Sequence, residues 1–219
     1  MKFKITLKIN RKFGDLLPFN YQYEQSAVIY RILAQADTQY SSWLHENGYL
    51  LHERKRFKLF CYSPFIFEKV KPLPEAGCLN IIGEKVVWYI SFIPEKSTFE
   101  FIQGIFAHQS FTIGNKEHRV AFDVIGVEAM SMPQLTEQMA FQAMSPICVK
   151  LHEENKTQYL SPDNPMFADG ILKGLKARYE SIHGQPFDMN DKEFSFELTD
   201  NKVKSKLITI KANTPYESR

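Results

Sequence analysis

The chain has 219 residues, enough for one large or two small domains with a substantial core. With 44% hydrophobic and 24% charged residues it is not a disordered chain, and a formal charge of +2 is too small to name a polyanionic partner by itself. Its three cysteines (Cys61, Cys78 and Cys148) show no C-x-x-C pairing, which argues against a disulfide framework or structural zinc and for a reducing compartment.

The N-terminal MKFKITLKIN alternates Phe3, Ile5, Leu7 and Ile9 with Lys2, Lys4, Thr6 and Lys8. That is the period of a half-buried strand, not of a signal peptide. No apolar run approaches membrane-spanning length, so no membrane partner and a cytoplasmic location are expected. YQYEQSAVIYRILAQA then has helical spacing, with Val28, Ile29, Ile32, Leu33 and Ala36 on one arc and Tyr30 well off its centre.

A short second helix fits DTQYSSWLHEN, with Asp37 or Thr38 as N-cap and Gly48 as the left-handed C-cap. Tyr40, Trp43 and Leu44 form its apolar side; His45 points away from them, in the last turn, where the helix dipole favours a protonated ring. FKLFCYS reads as a strand with Phe57, Leu59 and Cys61 on one face and Lys58, Phe60 and Tyr62 on the other. VVWYISFI reads as another strand. PEKSTFEFIQGIFAHQ reads as a helix with a Ser97–Glu100 capping box, and RVAFDVIGVEAM as a closing strand. The order is β-α-β-β-α-β, the ferredoxin-like pattern, in which both helices cover one sheet face and leave the other free.

A boundary near MSMPQLTEQ divides the chain into residues 1–130 and 131–219. The pattern then restarts with a strand around FQAMSPICVKL, a long helix in NPMFADGILKGLKARYESIH, and strands EFSFEL and KLITIKA. The fold class is therefore α+β, tandem ferredoxin-like (RRM-like) halves, the second incomplete at its C-terminus.

Basic residues gather in three places: Lys2 to Lys12, Arg54 to Lys58, and Lys202 to Lys211. Each cluster fits either a solvated face or a surface that meets a polyanion. His45 and His52 lack acidic or cysteine partners at ligand spacing, and H-E-x-x-H, the phosphate-binding glycine loop and the G-x-S-x-G elbow are all missing. The remaining constellation is Tyr30, His45 and the Lys58 region. Metal-free RNA cleavage needs a base for the 2′-OH, an acid for the departing 5′ oxygen and a cation for the phosphorane. Histidine serves as acid or base at neutral pH, and lysine or arginine supplies the cation. From the residues alone, His45 also reads as an exposed helix-end histidine, Tyr30 as a packing tyrosine and Lys58 as a solubilising lysine.

The tandem halves, with QYEQSAVIYRIL, SSWLHENGY and FKLFCYS in order, resemble the CRISPR-associated repeat-cleaving endoribonucleases, the Cas6 family. VVWYISF, SPI and YLSPDNPMF are also similar to segments of that family. The resemblance implies a CRISPR RNA-processing endoribonuclease that cuts precursor RNA within repeats, without metal or other cofactor, leaving 2′,3′-cyclic phosphate and 5′-hydroxyl ends.

It assigns His45 as general acid or base, Tyr30 as its partner or orienting group, and Lys58 as the charge stabiliser. His52, Lys55 and Arg56 stand as alternates, and Lys4, Lys8, Arg54, Lys55 and Arg56 as RNA-binding residues. CRISPR repeat RNA is the implied partner, with other Cas proteins of an interference complex and a second copy of the chain beside it. The alternative is a repeat-RNA-binding protein that does not cut. The family's glycine-rich G-F-G-type loop does not occur before Arg219, so a truncated product or fragment is expected, with the catalytic trio intact in the first half.

Overall fold

The alternation in MKFKITLKIN becomes a strand, β1 (Lys2–Asn10), with Phe3, Ile5, Leu7 and Ile9 buried and the lysines on the opposite face. The structure is a computed structural model that describes residues 1–52, 55–153, 156–188, 190, 193–199, 208–209 and 217–218. After β1 come β2 (Leu16–Pro18), α1 (Gln22–Ala36), α2 (Thr38–Glu46), β3 (Tyr49–Leu51), β4 (Lys55–Phe57) and β5 (Phe60–Tyr62). The first half continues through β6 (Ile66–Phe67), β7 (Val70–Leu73), β8 (Cys78–Ile81), β9 (Lys85–Phe92), α3 (Glu95–Ala107), β10 (Ser110–Gly114) and β11 (Arg119–Met130).

The main sheet runs β10-β11-β1-β9-β5, with β6 also on β9. Without the edge strand β10, this is the fourth-first-third-second order of a ferredoxin-like unit, all pairs antiparallel. In β1, Leu7 lies opposite Val86 and Ile5 opposite Trp88, so inward side chains of neighbouring strands share one face. Helices α1 and α3 cover that face, burying Val28, Ile29, Ile32, Leu33, Phe101 and Ile105 against Trp88, Phe92 and Phe122. The other face carries Lys2, Lys4 and Lys8.

The two helices approach closely because α3 offers Gly104 to α1: a Cβ there would stand 1.8 Å from the Ile32 carbonyl oxygen. Only glycine fits that crossing.

The second half comprises β12 (Val149–Glu153), β13 (Lys156–Leu160) and α4 (Met166–His183), with a small core of Val149, Leu160 and Phe167. Among the described residues the chain is α+β, with antiparallel strand pairing.

Four local expectations are corrected. FKLFCYS is not one strand: β4 pairs with β3, β5 pairs with β9, and Leu59 between them has φ +56°, which breaks the pleat. Lys58 therefore does not share a strand face with Phe60 and Tyr62. Residues 141–148 are not strand, so that strand begins at Val149 and is followed by a second, β13, before the helix. EFSFEL forms no strand; Phe196 packs on Phe167 instead (5.4 Å between centroids). The Ser97–Glu100 box is not made, because α3 starts at Glu95 and Ser97 is buried with its hydroxyl against that of Tyr40. KLITIKA lies outside the described residues except Ile208 and Thr209, which pair with Glu217 and Ser218.

Gly104→Ala is expected to cost about 1–3 kcal/mol through overpacking at the α1–α3 crossing. The check is a lower urea midpoint with an unchanged denaturant slope.

Candidate active site

The geometry starts at Asp37, which ends α1 and begins α2. Its backbone N–H donates to Leu33 O, and its carboxylate accepts from the Tyr40 N–H at 2.8 Å. Lys96 at the start of α3 pairs with the same carboxylate at 3.3 Å. The backbone hydrogen bond from Tyr40, with help from Lys96, holds the Asp37 carboxyl below the usual carboxylate range. One residue thus caps two helices and turns the chain sharply between them.

The turn folds α2 back onto α1, and the Ser41 hydroxyl donates to the Tyr30 carbonyl at 2.8 Å. His45 lies one helical turn after Ser41, on the same face of α2. It therefore comes down on Tyr30, with ring centroids 4.9 Å apart and planes at 84°. Phe60 closes the other side of Tyr30 at 5.7 Å, also edge-on. His45 is exposed and Tyr30 half-buried, so the pair forms a rim that a substrate can reach. Desolvation, with the Tyr62 hydroxyl adding to it, pushes the Tyr30 phenol up to about 12. At neutral pH Tyr30 is a proton donor and not a base.

Two cations of the basic run, Lys58 and Arg56, are committed to the C-terminal end of α2. The Lys58 ammonium donates to the carbonyl oxygens of Leu44 and His45, and Arg56 Nη1 donates to Glu46 O at 2.9 Å. These carbonyls have no partner within the helix and carry its negative dipole end, so cations there are favoured. Gly48, at φ +66°, lets Lys58 lie close: a Cβ would meet Phe57 O at 2.6 Å and Lys58 Cδ at 3.2 Å. Desolvation, then Arg56, lowers the Lys58 pKa.

His52 belongs to a different contact. Its Nε2 is 3.0 Å from the Glu180 carboxylate on α4, while Arg178 of α4 lies over the Phe57 ring at 5.3 Å. Lys55 is exposed on β4, and Arg54 lies outside the described residues. On the open sheet face, Lys4 pairs with Glu128 at 3.1 Å, Lys2 lies 5.1 Å from the Tyr89 ring, and Lys8 is exposed. So His45 lies against Tyr30 and the Lys58 ammonium sits at the backbone carbonyl of His45, while His52 turns toward the second half. Sequence reasoning missed Ser41, whose four-residue spacing from His45 carried the signal. It also missed Glu180 and Arg178, which no local pattern points to.

An exposed histidine lies on a protonated tyrosine, beside a helix end capped by lysine, in an α+β protein with a ferredoxin-like scaffold. Comparison with known proteins is specific. Residues 16–122 match the family model for CRISPR-associated protein Cas6, N-terminal, and residues 130–218 that for CRISPR associated protein Cas6, C-terminal. The chain belongs to the Cas6 family.

The CRISPR-associated endoribonuclease Cas6 1 of Methanocaldococcus jannaschii is 27% identical over 212 residues, 95% of this chain and 76% of that protein. A solved CRISPR associated protein Cas6 superposes with a TM-score of 0.70 at 26% identity, covering 99% of this chain and 83% of that one. A solved RAMP protein described as binding different RNA substrates superposes with a TM-score of 0.67 at 26% identity, covering 85% and 73% respectively. Among the described residues no helix is long and apolar enough to cross a membrane.

Raised phenol values predict the alkaline behaviour. Tyr21 and Tyr30 are both pushed up to about 12 by burial, above the ordinary value of 10.0 that the unfolded chain takes. Between those values the folded state binds more protons than the unfolded state, so stability falls as pH rises through 10 to 12. Tyrosinate absorbance should show these groups ionising late. Tyr30→Phe should remove one of them and make the alkaline loss of stability shallower.

Proposed function

We propose that this protein cuts precursor CRISPR RNA within its repeats, by attack of a 2′-OH on the adjacent phosphate. The observation that carries the reading is the exposed His45 ring set on half-buried Tyr30, 4.9 Å between centroids, beside the chain's own helix–helix hydrogen bond.

His45 takes the proton from the 2′-OH as O2′ bonds to phosphorus. The P–O5′ bond breaks, and the 5′ oxygen leaves with a proton, giving 2′,3′-cyclic phosphate and 5′-hydroxyl ends. Tyr30, held protonated, donates to the leaving oxygen or to the phosphorane. Lys58 supplies positive charge beside His45 while capping α2, and no metal is needed for these steps. Lys4, Lys8, Lys55, Arg56 and Arg54 provide attraction for the RNA backbone. The proposed division is at residues 1–130 and 131–219, with the chemistry in the first part; in its support, one family model ends at residue 122 and the other begins at residue 130. Other Cas proteins, and a second copy of the chain, are partners proposed from family membership alone.

A second reading, repeat-RNA binding without cleavage, draws on one observation: the Lys58 and Arg56 cations are engaged by α2 carbonyls.

Labelled repeat RNA incubated in EDTA separates the two. Cleavage once per repeat is expected, with His45→Ala slower by about 100-fold or more and its RNA affinity close to the parent's. His52→Ala, which loses only the contact to Glu180, should still cut. A requirement for magnesium, or undiminished cutting by His45→Ala, would sink the catalytic assignment; a gel shift with no product favours binding alone.

A further inference from the structure

The other flank of α1 carries a cleft that the Tyr30–His45 site does not use. It has a volume of about 420 Å³ and lies between α1, the 3-10 turn Arg11–Phe13, β10 and the edge of β11. That volume suits one nucleotide. Half-buried Phe111 supplies most of the apolar surface at its floor, backed by the buried Val28, Ile32 and Ala121.

Its mouth is cationic. Lys12 and Arg31 are both exposed there, and Arg31 Nη2 is anchored to Thr112 O at 3.0 Å, leaving further N–H groups of the guanidinium for an anion. Phe13, 43% exposed, gathers the cations: Lys12 Nζ lies 5.5 Å and Arg119 Cζ 4.3 Å from its ring. Inside, the Asp123 carboxylate accepts from Asn10 Nδ2 at 3.2 Å and offers an acceptor for a base amino group or a ribose hydroxyl. Apolar floor, internal acceptor and cationic mouth together match a nucleotide better than they match a simple anion, which Asp123 would repel.

Position favours a nucleotide within a strand over a free one. The α1 residues that line the cleft are Val28, Arg31, Ile32 and Gln35. At 3.6 residues per turn they centre roughly 150° around the helix from Tyr30, at the same height. The helix is about 10–12 Å across with its side chains, so a single strand leaving the Tyr30–His45 pair reaches the cleft by crossing α1.

From this juxtaposition we infer that the α1–β10 cleft is a second anchoring site for single-stranded RNA, holding one nucleotide with its phosphate on Lys12 and Arg31. The inference rests on the RNA-processing reading for the identity of its ligand, and its test reads affinity separately from cutting.

Fluorescence anisotropy of repeat RNA on the full chain compares the parent with the Lys12→Ala/Arg31→Ala double variant, both positions being exposed. Affinity at ~0.1 M salt should weaken by roughly tenfold or more, and the log–log salt slope should become shallower by about 0.7 for the one single-strand phosphate held. The cleavage rate at saturating protein should fall less than about threefold, because the loss lies in binding and not in the chemistry. Arg31→Glu should weaken binding further by charge reversal.

An affinity and salt slope unchanged in both variants overturns the site. Adenosine monophosphate tested alone supplies the other arm: Arg31-dependent binding of the mononucleotide with RNA affinity unaltered overturns RNA anchoring in favour of a free-nucleotide pocket. If His45→Ala cuts normally, the catalytic reading fails while the anisotropy result stands.

Discussion

The site depends on one sharp turn. Asp37 satisfies the first orphan N–H groups of α2 and simultaneously ends α1, and without that double capping the two helices have no reason to meet at a fixed angle. The Ser41 hydroxyl then holds α2 against the Tyr30 carbonyl, and the helical repeat does the rest by setting His45 over the Tyr30 ring. Lys96 ties the same corner to α3, so the corner is held by all three helices of the first half. A pair of side chains built on helices and fixed by hydrogen bonds to backbone groups is held more precisely than one carried on loops.

The C-terminal end of α2 is the second constraint. Its carbonyls gather Lys58 and Arg56, which ties the β3–β4 hairpin and the start of β5 to the helix that carries His45. Positive charge is thereby concentrated beside His45, with protein carbonyls as its immediate partners. From the other side α4 grips the hairpin, through Glu180 on His52 and Arg178 on Phe57. The second half of the chain is thus in direct contact with the elements that shape the first half's site.

Much of this was legible beforehand. Alternation in β1 and the helical arc of α1 predicted the ferredoxin-like half, because one buried face imposes a period that composition records directly. The left-handed Gly48 and the Asp37 cap were also readable, since each needs a particular residue type at a particular helix end. FKLFCYS was misread because its alternation is interrupted by a positive φ at Leu59, a non-glycine residue that sequence logic has no cause to place there. The β12–β13 hairpin was missed because a short polar strand such as KTQYL carries little periodic signal.

What the sequence determined by itself was local: the strand β1 and the helices α1, α2 and α3, which of their faces are apolar, and that Tyr30 lies off the centre of the core-facing arc of α1 and His45 away from the apolar side of α2. These follow from periods of two and 3.6 residues and from capping chemistry, which act over a few residues. The tertiary structure alone decided the contacts between elements. It put His45 on Tyr30 and not beside His52, turned Lys58 and Arg56 onto backbone carbonyls, and opened a cationic cleft on the far flank of α1. Those outcomes depend on helix crossing distances, down to the room that Gly104 leaves for Ile32, and on which orphan polar groups find partners when the elements pack. Neither is written in the spacing of residues along the chain.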